Sequence, residues 1–183
     1  EELAQLSPES PEFMGALGPQ ELKESRRFVQ ATANISPEYR AEVAAASIEP
    51  ALKKGTVAAG FFNDEANFRA IMNSKGLFAY DRSTSLDFTV TMRSTDETGS
   101  GWVSRNFNDV SKFNAAQASE IAIQKALQSR AAKAIEPGKY TVILEPNAVS
   151  DLVGLMINAM GARQADEGRS FLSKKGGGTK LGE

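Results

Sequence analysis

Apolar and polar residues alternate with a period of two through much of the region from Thr56 to Asn106. In the run from Leu86 to Arg93, four apolar side chains alternate with Asp, Thr, Thr and Arg. This period predicts strands with one buried and one solvated face. We predict five strands, joined by short connections at 63–65, 73–76 and 94–99, and they cover 57–62, 68–73, 77–82, 86–93 and 101–106.

A helix is predicted before this region. Ser36-Pro37-Glu38 combines an N-cap serine, a proline at the first helical position and an acidic first turn. Lys53-Lys54-Gly55 supplies a basic last turn and a glycine stop, while Pro50 should kink the last turn or end the helix early. The apolar positions that we expect to face the core are Ala44, Ile48, Ala51 and Leu52.

A second helix is predicted after the strands, from Asn114 to Lys133, with Asn114 as its N-cap. Its apolar stripe is suited to covering the sheet and consists of Ala118, Ile121, Ala122 and Leu127.

A strand followed directly by a helix is predicted near the end of the chain. Tyr140 to Leu144 has the composition of a strand buried on both faces. The helix 148–160, capped by Asn147 and ended by Gly161, is apolar nearly all round, so we expect it to be sandwiched. The predicted fold is α+β: an antiparallel sheet with helices packed mainly on one face, ending in a strand–helix unit that starts a second domain.

Composition narrows the possible chemistry. The 183 residues include no cysteine and no histidine, so disulfides, thiolate sites and Ser-His or Cys-His nucleophile pairs are excluded for these residues. The net charge of −2 lacks the basic footprint of a dedicated nucleic-acid binder, and no apolar run is long enough to span a bilayer. A cytoplasmic location fits best. The chain starts without methionine, so we expect a piece of a longer protein.

Several local motifs have plain structural interpretations. The run Lys175 to Lys180 resembles a phosphate loop but has threonine before lysine, which favours a mobile loop. Asp166 and Glu167 are adjacent and do not share a helix face, and Ser173-Lys174 lacks the Ser-x-x-Lys spacing. Trp102 is interpreted as a core or half-buried anchor.

Hydroxyl groups line the predicted solvated side of the sheet, at Ser83-Thr84-Ser85 and at Thr89 and Thr91. Ordinary strand residues on a wet face explain them. A sheet edge at this place could instead accept an extended peptide by strand addition. The sequence leaves both interpretations open.

Four stretches together resemble the TldD/PmbA (TldE) family of modulators of DNA gyrase and metalloprotease-related proteins. They are Asn73-Ser74-Lys75-Gly76 with Tyr80, GSGW at 99–102, EPGKYTVILEP at 136–146 and ADEGRSFLSKKGGGTKLGE at 165–183. The resemblance implies that residues 1–135 form the end of an N-terminal α+β domain. Residues 136–183 would form the strand–helix unit and polar, glycine-rich tail at the start of the C-terminal domain.

The resemblance also implies a cytoplasmic, oligomeric protein that acts in proteolysis or peptide maturation. Members pair as a TldD-like zinc subunit and a PmbA/TldE-like partner. The zinc subunit carries His-Glu-x-x-x-His, and the matching positions here are Gly154, Leu155 and Ala159, which offer no metal ligand or base. No catalytic or metal-binding residue is therefore carried over, and zinc is expected only in a TldD-like partner.

The sequence thus predicts a PmbA/TldE-like non-zinc subunit of a peptide-processing complex. Its partners would be a TldD-like subunit or a second copy of itself, and a peptide or unfolded protein. Residues that could contact partner or peptide are Asp166, Glu167, Arg169, Ser170 and Ser173. The alternatives are a complete protein that is itself a metallopeptidase, with ligands outside this stretch, or a regulator that touches DNA gyrase.

Overall fold

Three antiparallel strands in the order β1-β2-β3 form the sheet of this computed structural model, which describes residues 2–176 and 178–180. Strand β1 spans Thr56–Met72, β2 spans Phe78–Ser94 and β3 spans Ser100–Phe107. The chain divides between Lys133 and Ala134 into two compact units, and all three strands belong to the first.

Four of the five predicted strands merge into the two long strands of one hairpin. The predicted connection at 63–65 is wrong, because these residues pair across the ladder with 85–87. Polar side chains stabilise each other there: Asn63 and Asn67 both donate hydrogen bonds to Glu65, and Arg40 pairs with Asp64. The predicted turns at 73–76 and 94–99 are confirmed. In the first, the Asn73 side chain accepts from the N–H groups of Lys75 and Leu77.

One face of the sheet carries the core, as the alternation predicts. Leu86, Phe88, Val90 and Met92 are each at most 3% exposed. They lie opposite Phe62 and Ala58 of β1 and Val103 of β3, which share their face because directly paired residues point the same way. This register gives the helices an apolar surface to cover.

The helices of the first unit are α1 (Glu2–Leu6), α2 (Gln30–Ala33), α3 (Pro37–Lys53) and α4 (Ala115–Gln128), with a 3-10 turn at Val110–Lys112. Helix α3 packs on β1, and α4 packs on β3 and β2. Ser36 and Asn114 cap α3 and α4 as predicted, accepting hydrogen bonds from Tyr39 and Gln117. The α+β class, with helices on one face, is confirmed.

The buried face of α3 differs from the prediction. Val43, Ser47 and Ala51 are buried, whereas Ile48 and Leu52 are exposed. Small side chains let α3 and α4 approach closely, and the Ser119 hydroxyl donates to the Ser47 hydroxyl at 2.9 Å. Pro50 does not end the helix early, since α3 continues to Lys53.

The second unit contains α5 (Pro146–Asn158) and α6 (Ala162–Asp166). The strand predicted over 140–144 is wrong, because a buried strand needs hydrogen-bonded neighbours and the described part of this unit contains no strand. Accordingly, Val142 is 68% and Ile143 is 97% exposed.

The predicted limits of the helix in this unit are also corrected. Glu145 is the N-cap of α5 and Pro146 is its first residue, so Asn147 does not cap it. Gly161 is the N-cap of α6, with a φ of −60°, and not the left-handed end of α5. No residue of α5 is buried, so the helix is not sandwiched within the unit as the structure describes it.

Candidate functional site

The positions that correspond to a His-Glu-x-x-x-His motif lie at the C-terminal end of α5. Gly154 and Leu155 are on the helix, and Ala159 is its C-cap. Leu155 is 72% exposed, and open space surrounds the point where Gly154 would carry a side chain. Glycine, leucine and alanine have no side-chain donor atom, so these positions do not fit a zinc ion.

No group of three or more Asp or Glu side chains that could hold a metal ion occurs within 2–176 and 178–180. With no histidine or cysteine in the sequence, carboxylates would be the sole strong side-chain ligands available.

Two of the five predicted contact residues form an ion group after α6. Arg163 donates to Glu167 at 2.9 Å, one helical turn away, and Arg169 pairs with the same carboxylate. Hydrogen bonds from Arg169 and Arg163 hold the pKa of Glu167 below its ordinary value. Asp166 lies beside this group with an exposed side chain. The charges thus lie at the surface, where a partner could reach them.

The other two contact residues bond to each other and build a turn. The N–H of Ser170 donates to the Ser173 hydroxyl at 3.1 Å, and the Ser170 hydroxyl donates to the carbonyl oxygen of Ala159. Ser173 forms a β-bridge with Thr179. The described residues of 175–180 therefore include a bridged segment where the sequence predicts a mobile loop, and part of that prediction, Gly177, lies outside the described residues.

The hydroxyl-bearing stretch of β2 divides between the two faces of the sheet. Thr84 is 3% exposed, so its predicted place on the solvated face is wrong. Ser83, Ser85, Thr89 and Thr91 are half-buried on the opposite face. Trp102 pairs with Thr91 on that face and is exposed, at 45%, so the interpretation of it as a core or half-buried anchor is wrong.

A concave site occurs beside the outer half of the β1–β2 hairpin. We call it the hairpin cleft, a space of about 890 Å³ whose walls are residues 22–28, the β1 residues Arg69 and Ile71, and residues 79–82 of β2. Its arginines are far apart in sequence, which explains why composition and local motifs did not reveal it. Only the strand register and the path of the N-terminal segment bring them together.

No helix in the described part of the chain has the length and apolar character needed to cross a bilayer.

Two family models match the chain. The central domain of the PmbA/TldA metallopeptidases matches residues 28–130, and the C-terminal domain of the same family matches residues 137–183. No curated protein sequence matches the chain.

Three solved structures share its fold. A proposed modulator of a DNA gyrase from Thermotoga maritima aligns over 86% of the chain at 21% identity and a TM-score of 0.78. A proposed modulator of DNA gyrase from Bacteroides thetaiotaomicron aligns over 89% at 25% identity and a TM-score of 0.67. TldE from Thermococcus kodakarensis aligns over 69% at 19% identity and a TM-score of 0.56.

The chain spans only 38%, 38% and 30% of these three proteins, in the same order. The family models account for nearly all of the chain after Arg27, including the strands of the first unit and both helices of the second. The chain therefore belongs to the PmbA/TldA metallopeptidase family.

Proposed function

We propose that this protein is the non-zinc, PmbA/TldE-like subunit of a peptide-processing metallopeptidase complex. In this role it acts on peptides or unfolded protein together with a zinc-bearing subunit of the same family, in the cytoplasm. The family suggests the reaction class, and the lack of zinc-binding side chains at the motif positions supports assignment as the non-zinc subunit. Zinc and the general base belong to the partner.

One observation carries the proposal. The positions expected for the ligands and base of the zinc motif are Gly154, Leu155 and Ala159, none of which can bind a metal or move a proton. Open space surrounds Gly154, so a larger side chain would fit at this position. Close packing therefore does not explain why the chain has glycine where the motif has histidine. A family scaffold without donor side chains is suited to holding a partner or substrate.

The surface that would meet the partner comprises α6 and the residues that directly follow it. Asp166 is exposed, and the ion group of Arg163, Glu167 and Arg169 holds neighbouring charges in a defined arrangement. Ser170 ties this segment to the end of α5 through the carbonyl oxygen of Ala159. Charged surface groups of this kind favour selective association more than raw affinity.

Reconstitution tests the proposal. The intact protein is purified alone, a family member that carries His-Glu-x-x-x-His is purified alone, and the two are mixed. The expected result is co-elution and peptide hydrolysis that exceeds the activity of either protein by itself. Full hydrolysis by the intact protein alone would overturn the proposed division of roles, as would failure of the two proteins to associate.

A further inference from the structure

We propose that the hairpin cleft is a docking site for an extended, acidic segment of polypeptide, which adds as a strand to the open edge of β2. The inference rests on the proposed function for the kind of ligand, a polypeptide, but concerns a surface remote in sequence from α5. Its support comes from the sheet register, the path of the N-terminal segment and the charges that line the cleft.

The edge of β2 is open along its outer half. Strand β3 pairs with β2 from Leu86 to Arg93, whereas β2 begins at Phe78. Between Phe78 and Ser85, β2 is therefore paired with β1 on one side, and no other strand of the described residues pairs with it there. Within the described residues, one backbone bond reaches this part of the free edge, from the N–H of Thr84 to the carbonyl oxygen of Arg27 at 3.1 Å.

That bond fixes which backbone groups point outward. Because the N–H of Thr84 points away from β1, the N–H and C=O groups of Arg82 and Tyr80 point the same way, since direction alternates along a strand. The N–H of Arg82 bonds to the carboxylate of Asp81, whereas its C=O and both outward groups of Tyr80 form no further backbone hydrogen bond within the described residues. Backbone groups left unpaired at a strand edge are a template for another strand. Tyr80 and Arg82 both line the hairpin cleft, so this stretch of the edge lies beside the cleft.

The N-terminal segment bridges the free edge without filling it. The Asn73 side chain at the hairpin tip donates to the carbonyl oxygen of Leu17, and Arg27 is bonded to Thr84. Residues 17–27 are thus anchored at both ends of the outer hairpin. Arg27 also pairs with Asp81. Although partial burial acts to raise it, the pKa of Asp81 lies below its ordinary value because Ser25 and Arg27 donate hydrogen bonds to the carboxylate.

The charges of the cleft select an acidic ligand. Its walls carry the cations Lys23, Arg26, Arg27, Arg69 and Arg82 and the carboxylates Glu24 and Asp81. Once Arg27 and Asp81 are paired, cations dominate the remaining charge. Lys23, Arg26 and Arg69 are exposed and form no ion pair within the described chain. Guanidinium groups bind carboxylates through two parallel hydrogen bonds, which favours Glu or Asp at alternate positions of an added strand.

Arg82 is already positioned beside the free edge. Its guanidinium carbon lies 4.2 Å from the centre of the Phe28 ring, and Phe28 in turn contacts Phe68 of β1. Stacking on an aromatic ring holds the guanidinium while its N–H groups stay available. This arrangement gives the cleft a preorganised cation next to the outward backbone groups of Tyr80 and Arg82.

The test measures fluorescence anisotropy of three labelled probes with the intact protein in the absence of a zinc subunit. The probes are a short peptide of alternating threonine and glutamate, its threonine–lysine counterpart, and the acidic peptide N-methylated at alternate residues. The acidic peptide is expected to bind, the basic peptide to fail, and N-methylation to abolish binding because it removes the donors of the ladder.

Charge reversal locates the binding. The double change Arg26→Glu and Arg69→Glu is expected to weaken binding of the acidic peptide roughly tenfold or more. Arg93→Glu makes one Arg-to-Glu reversal on β2 outside the cleft and should leave affinity within about twofold. Circular dichroism confirms that each variant is folded.

Three outcomes would overturn the inference. In the first the acidic peptide fails to bind, and in the second the double reversal leaves its affinity unchanged. In the third outcome, the N-methylated peptide and a single-stranded oligonucleotide both bind as tightly as the acidic peptide. The last would indicate a general anion surface in place of a strand site. None of these outcomes bears on whether a zinc subunit supplies the metal, so failure here is distinguishable from failure of the proposed function.

Discussion

The hydroxyl groups of Thr32 and Thr84 both donate to the carbonyl oxygen of Asn108, at 3.1 and 2.8 Å. Each hydroxyl also accepts a backbone N–H, from Val110 to Thr32 and from Val29 to Thr84. Both side chains are buried, at 1% and 3% exposure. The pair therefore joins α2, the middle of β2 and the segment after β3, and it fixes the N-terminal segment beside the sheet.

Replacing Thr84 by valine should destabilise the protein by about 1–3 kcal/mol, because the N–H of Val29 would lose its buried partner. Thr89→Val is the matched control. It makes the same change on the same strand but on the opposite face, where the hydroxyl forms no hydrogen bond among the described residues. Urea unfolding measures both variants, and equal losses would contradict the assigned role of Thr84.

Gly101 is expected not to tolerate alanine. A Cβ at this position would lie 2.1 Å from the carbonyl oxygen of Ala122 in α4, so α4 must shift. Gly101→Ala should cost about 1–3 kcal/mol or more of unfolding free energy. Gly154→Ala is the control, because α5 offers open space there and helical alanine is favoured over glycine by about 0.5–1 kcal/mol. Thermal unfolding is expected to show a lower melting temperature for Gly101→Ala and a higher one for Gly154→Ala. A raised melting temperature for Gly101→Ala would contradict the close packing of β3 against α4.

Asp96 should make stability depend on pH in the acidic range. Hydrogen bonds from Ser94 and then Arg130 hold the pKa of Asp96 well below its ordinary value. A lowered folded-state pKa contributes stability above the unfolded-state value of about 3.9, and this stability is lost as the pH falls below that value. Asp96→Asn should therefore lower the melting temperature at pH 7, and its difference from the wild type should shrink toward pH 3.

The control for Asp96 is Glu97→Gln in the same turn, whose side chain forms no bond within the described chain. Melting curves between pH 3 and pH 7 are expected to show little effect of this change. The role of the Asp96 carboxylate would be contradicted if the melting temperatures of the wild type and Asp96→Asn differed by the same amount at every pH in this range.

Reversal of the charge at Asp166 should weaken association with the zinc-bearing family member. Asp166→Lys changes an exposed side chain, so the fold should be retained. The new positive charge should remove the electrostatic complementarity with the partner's surface. Charges at the rim of an interface act mainly on the association rate constant. We therefore expect this rate constant to fall roughly tenfold at low salt. Asp151→Lys on α5 is the control. Biolayer interferometry with the partner measures both, and equal binding by wild type and Asp166→Lys would exclude this surface.

Short-range signals predicted much of the first unit. The Ser36 and Asn114 caps, the turns at 73–76 and 94–99 and the apolar face of β2 depend on neighbouring residues, and each is confirmed. The turn at 63–65 failed because cross-strand pairing with β2 outweighs the turn preference of Asn63 and Asp64. Such pairing joins residues far apart in sequence, and local composition does not reveal it.

The candidate sites show the same division. Lack of donor atoms at Gly154, Leu155 and Ala159 is evident from the sequence once the family motif is laid on it. The hairpin cleft could not be predicted in the same way, since Arg26 and Arg69 meet only when residues 17–27 cross the outer hairpin. The predicted strand at 140–144 failed for a related reason, because its composition fits a sheet and the described residues of the second unit contain none.

Metal analysis of the intact protein shows whether this chain binds zinc by itself. The protein is purified without its partner, dialysed against buffer that contains zinc and then freed of unbound metal, and its zinc content is measured by mass spectrometry. We expect no stoichiometric zinc, because the positions that would bind it are Gly154, Leu155 and Ala159. One zinc ion per chain, together with peptide hydrolysis by the protein alone, would contradict it.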